Sequence, residues 1–257
     1  MSSGSYTYTV TDDNNCTYEA NIAVSGISGT PTYTWNSGAS GTSINDIGAG
    51  VYTLSVTDGS CTGVRQFEVE KVLPESFPVC MVTVDDSIGK NIVVWEKAYK
   101  SEISHFELYR ESWQAGAFLR VFESDVDTLS QWVDLVANPQ IKAWSYKMIT
   151  TDFCGAHSEF SATHKTMHLV MQRDTSGPIE LNWNAYGGLQ HSLYYIERLT
   201  DTTTGWLTID SVSAPLTTYI DANPPKQNDL LYAIAFDHPG GGCTTSRAAP
   251  KKYGAVR

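Results

Sequence analysis

A chain of 257 residues is long enough for two or three modules, so a single core is not expected. Against 28 acidic side chains stand 17 basic ones, a formal net charge of −11 with no basic stripe, which excludes a phosphate-neutralising nucleic-acid face and disfavours anionic membrane surfaces. No run is apolar for long enough to span a bilayer, no signal-peptide pattern opens the chain, and abundant Thr, Ser, Tyr, Val, Trp and Gly favour strands over helices.

In chain order, Tyr6 to Thr11 and Tyr18 to Val24 are predicted strands. Asp12-Asp13-Asn14-Asn15 joins them, with residue types that tolerate left-handed turn conformations. The segment Tyr6-Thr7-Tyr8-Thr9-Val10-Thr11-Asp12, followed by Cys16, recurs as Tyr52-Thr53-Leu54-Ser55-Val56-Thr57-Asp58, followed by Cys61. Tyr6 therefore matches the second half of a complete unit. Residues 1–24 are expected to be the C-terminal part of a truncated repeat and 25–72 a whole one, within a piece of a longer protein whose export signal lies elsewhere. The whole unit runs through Thr32-Tyr33-Thr34-Trp35, a Gly/Ser-rich bend, Ile44, Ile47 and Gly48-Ala49-Gly50. It closes with a hairpin of Val51 to Thr57 and Arg65 to Val69, where the alternation of Tyr52, Leu54 and Val56 turns one face inward.

Residues 73–79, with Pro74 and Pro78, read as a stiffened linker. Residues 80–165 and 166–257 then align with each other. Trp95 matches Trp183, Phe106-Glu107-Leu108-Tyr109-Arg110 matches Tyr194-Tyr195-Ile196-Glu197-Arg198, and Trp132-Val133-Asp134 matches Tyr219-Ile220-Asp221. Tyr146 and Met148 match Tyr232 and Ile234. Seven short half-buried segments separated by turns are the pattern of a β-sandwich, so the fold class is all-β, tandem β-sandwich modules. The two modules, with almost no linker between Lys165 and Met167, are expected to be independent cores strung end to end as a semi-rigid rod.

Motifs for chemistry are missing. Gly-x-Ser-x-Gly, His-Glu-x-x-His and P-loop patterns do not occur, and no helix pattern follows Gly240-Gly241-Gly242. No catalytic residue, cofactor or metal set is assigned, and a non-enzyme is expected. His164, His168 and Cys243 make an imaginable metal set that lacks a fourth ligand, and the histidines are expected on the sandwich surface. Asp12 to Asn15 and Asp125-Val126-Asp127 offer hard oxygens for calcium, but turn chemistry is the expectation. Trp35, Trp95, Trp132 and Trp183 are expected in cores, leaving Trp113 and Trp206 as candidates for exposed contacts. The five cysteines form no Cys-x-x-Cys pair, and their odd number leaves one thiol unpaired or paired outside the chain.

The unit Tyr33-Thr34-Trp35, Ile44, Ile47, Gly48-Ala49-Gly50, Tyr52, Val56-Thr57-Asp58 and Cys61 resembles the SprB repeat of large adhesins of gliding bacteria and other surface proteins exported by the type IX secretion system. The remainder resembles paired fibronectin type III modules, most clearly in Pro78 to Asp85, Val94-Trp95-Glu96-Lys97, Ile103 to Phe106 and Tyr109-Arg110-Glu111. The resemblance implies an extracellular, cell-surface stalk or adhesion segment. Its partners would be the type IX machinery, acting through other regions, and surface glycans or surface proteins, with no nucleic acid and no membrane span. An accessory or carbohydrate-binding region of a secreted hydrolase is the alternative. The fibronectin-like topology brings the start of the first strand near the loop after the sixth, which implies a Cys80–Cys154 disulfide in an oxidising setting. Proteins of this kind carry O-glycans at Asp-Ser/Thr-apolar sites, which marks Ser87, Thr128 and Ser211, with Thr202 in a looser form.

Overall fold

The computed structural model describes residues 2–11, 17–27, 30–45, 47–57, 62–70, 73–96, 103–126, 128–173, 177–199, 205–226, 230–243 and 252–256, the first two and the last of these by backbone alone. Every regular element among them is a strand. The Asp12–Asn15 turn, Cys16, Asp58, Cys61, Asp127 and Thr202 lie outside the described residues. The chain divides into two compact units, Met1–Leu73 with Phe153–Ala156, and Pro74–Asp152 with His157–Arg257.

In the first unit, β1 (Ser2–Thr11) and β2 (Thr17–Ile27) form a hairpin, and β4 (Ile44–Asn45) adds to it in parallel beside β1. A second antiparallel sheet has the order β3 (Thr32–Trp35), β5 (Gly50–Thr57), β6 (Thr62–Val69). Its core is Trp35, Ile44, Ile47 and Leu54, with Tyr33, Tyr52, Val56 and Phe67 packed around it. The repeat motif is therefore a packing motif. Its polar tips are also satisfied: the Trp35 indole N–H donates to the Gly41 carbonyl at 3.1 Å, and the Tyr52 hydroxyl donates to the Gly48 carbonyl at 2.8 Å.

The second unit holds two seven-strand sets. In the first, β7 (Val79–Asp85), β8 (Lys90–Trp95) and β11 (Gln131–Asp134) make one sheet. Facing it is a sheet of β9 (Ile103–Glu111), β10 (Phe118–Asp125), β12 (Ser145–Asp152) and β13 (His164–Lys165). The second set repeats this division. One sheet holds β14 (Leu169–Arg173), β15 (Ile179–Trp183) and β18 (Thr218–Asp221), the other β16 (Leu193–Leu199), β17 (Trp206–Ser213), β19 (Leu231–Asp237) and β20 (Lys252–Val256). Three strands against four, all antiparallel, is the fibronectin type III-like arrangement, and the all-β tandem-sandwich class holds. Trp95 and Trp183 are core residues and Trp132 is half-buried against Phe122. Phe77 and Val79, inside the segment read as a linker, are core residues of the first sandwich.

Two expectations fail together here. Strands β7 and β8 are buried on both faces. Val79, Val82, Val93 and Trp95 point into their own core, while Met81, Ile92 and Val94 join the core of the second sandwich. The sandwiches are not independent. The outer face of one three-stranded sheet is part of the neighbour's apolar cluster, because Val79-Cys80-Met81-Val82 and Ile92-Val93-Val94-Trp95 leave no polar face for water. The disulfide is also reassigned. Cys80 is bonded to Cys243, with an S–S distance of 2.00 Å, and Cys154 is disulfide-bonded in its own right. The register of β7 on β8 shifts between Val79 and Met81, so Cys80 is the extra residue of a β-bulge. A bulge re-aims its side chain, here toward the loop after β19 of the second sandwich. Cys243 occupies in that module the place Cys154 holds in the first, so the expected pairing had the right loop in the wrong sandwich.

Candidate functional site

The densest set of uncommon contacts lies where the two sandwiches meet. The Tyr186 hydroxyl accepts from the Val82 N–H at 2.8 Å and lies 3.0 Å from His164 Nδ1. Lys165 and Gly187 exchange two backbone hydrogen bonds of 3.0 Å each, and the Trp206 indole donates to Asp86 at 2.8 Å. Gly188 has φ of +103°, and a Cβ there would sit 2.5 Å from the His164 ring. Glycine is needed at this position for both conformation and space. Around the Cys80–Cys243 bond, His238 places Nε2 3.6 Å from Cys80 Sγ.

Cys80, His238 and Cys243 thus converge as three metal-type ligands, a set that sequence reading did not find because 158 residues separate Cys80 from His238. The sulfurs are bonded to each other, so they are not thiolates available to an ion. The imagined His164, His168 and Cys243 set is not assembled. His164 is buried against Tyr186, His168 faces the Gln140 carbonyl at 3.0 Å, and Cys243 is in the disulfide. His164 is thus a core residue, not the surface group expected. Burial, with His238 adding, lowers its pKa to about 4, so it is neutral at pH 7.

Elsewhere two buried carboxylates are held in the same way, one in each sandwich. Asp134, at the end of β11, accepts from Arg110 at 2.6 Å, from the Tyr146 hydroxyl at 2.9 Å and from the N–H groups of Val136 and Ala137 at 3.0 Å. Asp221 in the second sandwich accepts from Arg198 at 2.5 Å and from Tyr232 at 2.7 Å. Burial and the adjacent carboxylate push both tyrosine hydroxyls far above their ordinary range. On β9, Glu107 lies 3.0 Å from the Tyr109 hydroxyl, 3.3 Å from Arg120 and 3.5 Å from His105. Burial raises its pKa, but the Tyr109 hydrogen bond and the charges of Arg120 and His157 outweigh it, and the net shift is downward.

Trp113 is 72% exposed on the turn between β9 and β10. Lys142 Nζ stands 4.7 Å from its ring and 4.3 Å from that of Trp144. Trp206, the other aromatic candidate, is half-buried and held by Asp86. Ser87, Thr128 and Ser211 are all exposed. Ser87 Oγ donates to Asp85 and Thr128 Oγ1 to the Asp125 carbonyl at 2.8 Å, so both hydroxyls already serve turns.

No family profile matches the chain, and no curated protein matches it. Solved structures similar to it include the FN1–FN3 domains of chicken CNTN1, at 12% identity and a TM-score of 0.32, covering 93% of each chain. The chicken interferon gamma receptor alpha chain is similar at 10% identity and a TM-score of 0.30, covering 69% of this chain and 97% of that one. A two fibronectin type-III domain segment from chicken tenascin gives 12%, 0.26, 72% and 98% respectively. At these scores the fold rests on strand order and pairing, not on the likeness.

Proposed function

We propose that this chain is a non-catalytic extracellular spacer of a surface protein, one that transmits tension between its flanking regions. The observation that carries the reading is the Cys80–Cys243 bond, which closes a loop of 163 residues around nearly all of both sandwiches. Force entering before Cys80 and leaving after Cys243 travels through the disulfide and bypasses both cores. Of the second unit's strands, only β20 and the first residue of β7 lie outside that loop. A disulfide of this span also suits an oxidising, extracellular setting. Export by the type IX system, and a place in a gliding-type adhesin, are the finer reading and rest on the repeat of residues 25–72 alone.

Labelling intact cells of the native producer with an antibody to the second unit tests this reading. Surface labelling without permeabilisation is the result expected; labelling only after lysis would overturn it. A carbohydrate-binding role is the second reading, favoured by the exposed Trp113 beside Lys142 and Trp144. Glycan-array binding that Trp113→Ala abolishes would favour it over a passive spacer.

A further inference from the structure

The Cys80–Cys243 bond joins two unequal sulfurs. Cys80 is only 5% exposed in the β7 bulge, whereas Cys243 is half-buried in the loop after β19. His238 is half-buried, with Nε2 3.6 Å from Cys80 Sγ. Its other ring nitrogen is occupied: Nδ1 accepts from the N–H groups of Gly240 at 3.1 Å and Gly242 at 3.4 Å. A ring that accepts at Nδ1 carries its neutral-form proton on Nε2, so the N–H is aimed at the Cys80 sulfur. That tautomer opposes metal ligation through Nε2 and suits hydrogen bonding to a thiolate. His238 also lines an open cleft of about 440 Å³ together with Gln190, Ser192, Tyr195 and Asp237.

We infer that the Cys80–Cys243 bond is a directed thiol–disulfide exchange site, opened at Cys243 by a dithiol reductant while His238 stabilises the departing Cys80 thiolate. One reductant thiolate attacks Cys243 Sγ. The S–S bond breaks, its electron pair leaves on Cys80 Sγ, and the reductant becomes linked to Cys243 as a mixed disulfide. The second reductant thiolate attacks the reductant's own sulfur in that link, closes its internal disulfide and releases Cys243. Two electrons pass from the dithiol to the cystine, and the dithiol's two protons end on Cys80 and Cys243. A stabilised thiolate is the better leaving group, so His238 sets which sulfur departs. Opening the bond removes the bypass for tension and leaves the shared apolar contact in place.

The test maps the mixed disulfide formed when the full chain meets limiting glutathione as a monothiol probe, quenched with acid. Glutathione on Cys243 with Cys80 as a free thiol is the expected result; glutathione on Cys80, or on both equally, would overturn the inference. With dithiothreitol, His238→Ala should open this bond about tenfold more slowly than the unaltered chain. His168→Ala, whose ring faces Gln140, should leave the rate unchanged. Equal rates for His238→Ala and the unaltered chain would remove His238 from the step. If His238→Ala does not fold, the mapping of the unaltered chain decides.

Discussion

Asp134 ties strands of both sheets of the first sandwich together, through Arg110 of β9 and Tyr146 of β12. It is fully buried and its carboxylate is bonded by Arg110, Tyr146 and two backbone N–H groups. Truncation to alanine would strand the guanidinium, so Asp134→Ala should lower stability by about 3–5 kcal/mol, read from the denaturant midpoint. Tyr146→Phe should cost less, about 1–3 kcal/mol, because it strands no charge, although the hydroxyl's donation to Asp134 and its acceptance from Asn91, each at 2.9 Å, are both lost. His164 gives a pH signature. Its folded pKa of about 4 lies below the unfolded 6.5, so the unfolded chain takes up the proton first as pH falls. The neutral group's contribution is complete above pH 6.5 and is lost between 6.5 and about 4, a loss of about 3 kcal/mol. A His164→Gln chain should show a flatter stability profile across that window, and an unchanged profile would refute the assignment. These residues were visible in the sequence as matched letters, Arg110 with Arg198, Asp134 with Asp221, Tyr146 with Tyr232. Their partnership was not, because the members lie 24 and 12 positions apart and only strand pairing brings them together.

Among the elements, β7 and β8 carry the main departure from the sequence reading. Half-buried strands alternate, as β15 and β18 do, and such segments made the strand positions and the sandwich class legible. The runs Val79 to Val82 and Ile92 to Trp95 do not alternate, and a continuous apolar strand is one covered on both sides. That signal was available, but not the identity of the covering surface, which is set by tertiary packing. Met81→Ala should therefore destabilise both sandwiches in one cooperative transition, by about 2–5 kcal/mol. Two separate melting transitions, only one of them shifted, would contradict the shared core. The Cys80 bulge was likewise illegible, since nothing local to Val79-Cys80-Met81 announces an extra residue. Its effect is to send the thiol across the junction rather than to its own sandwich.

For the whole molecule, repetition predicted the modules and misjudged how they join. A short linker such as Lys165 to Met167 permits a rod or a side contact equally, and apolar outer faces with a cystine select the contact. On the chain-entropy account a 163-residue loop is worth about 5 kcal/mol, so Cys243→Ser should lower the unfolding free energy by up to that amount. The mechanical role is tested most directly by stretching single molecules of the full chain from its two ends, oxidised and then fully reduced. The oxidised chain should withhold the 163 residues of the loop, and reduction should add about 550 Å of extension. The same extension in both states would mean that the Cys80–Cys243 bond does not form and that the load passes through the two sandwiches.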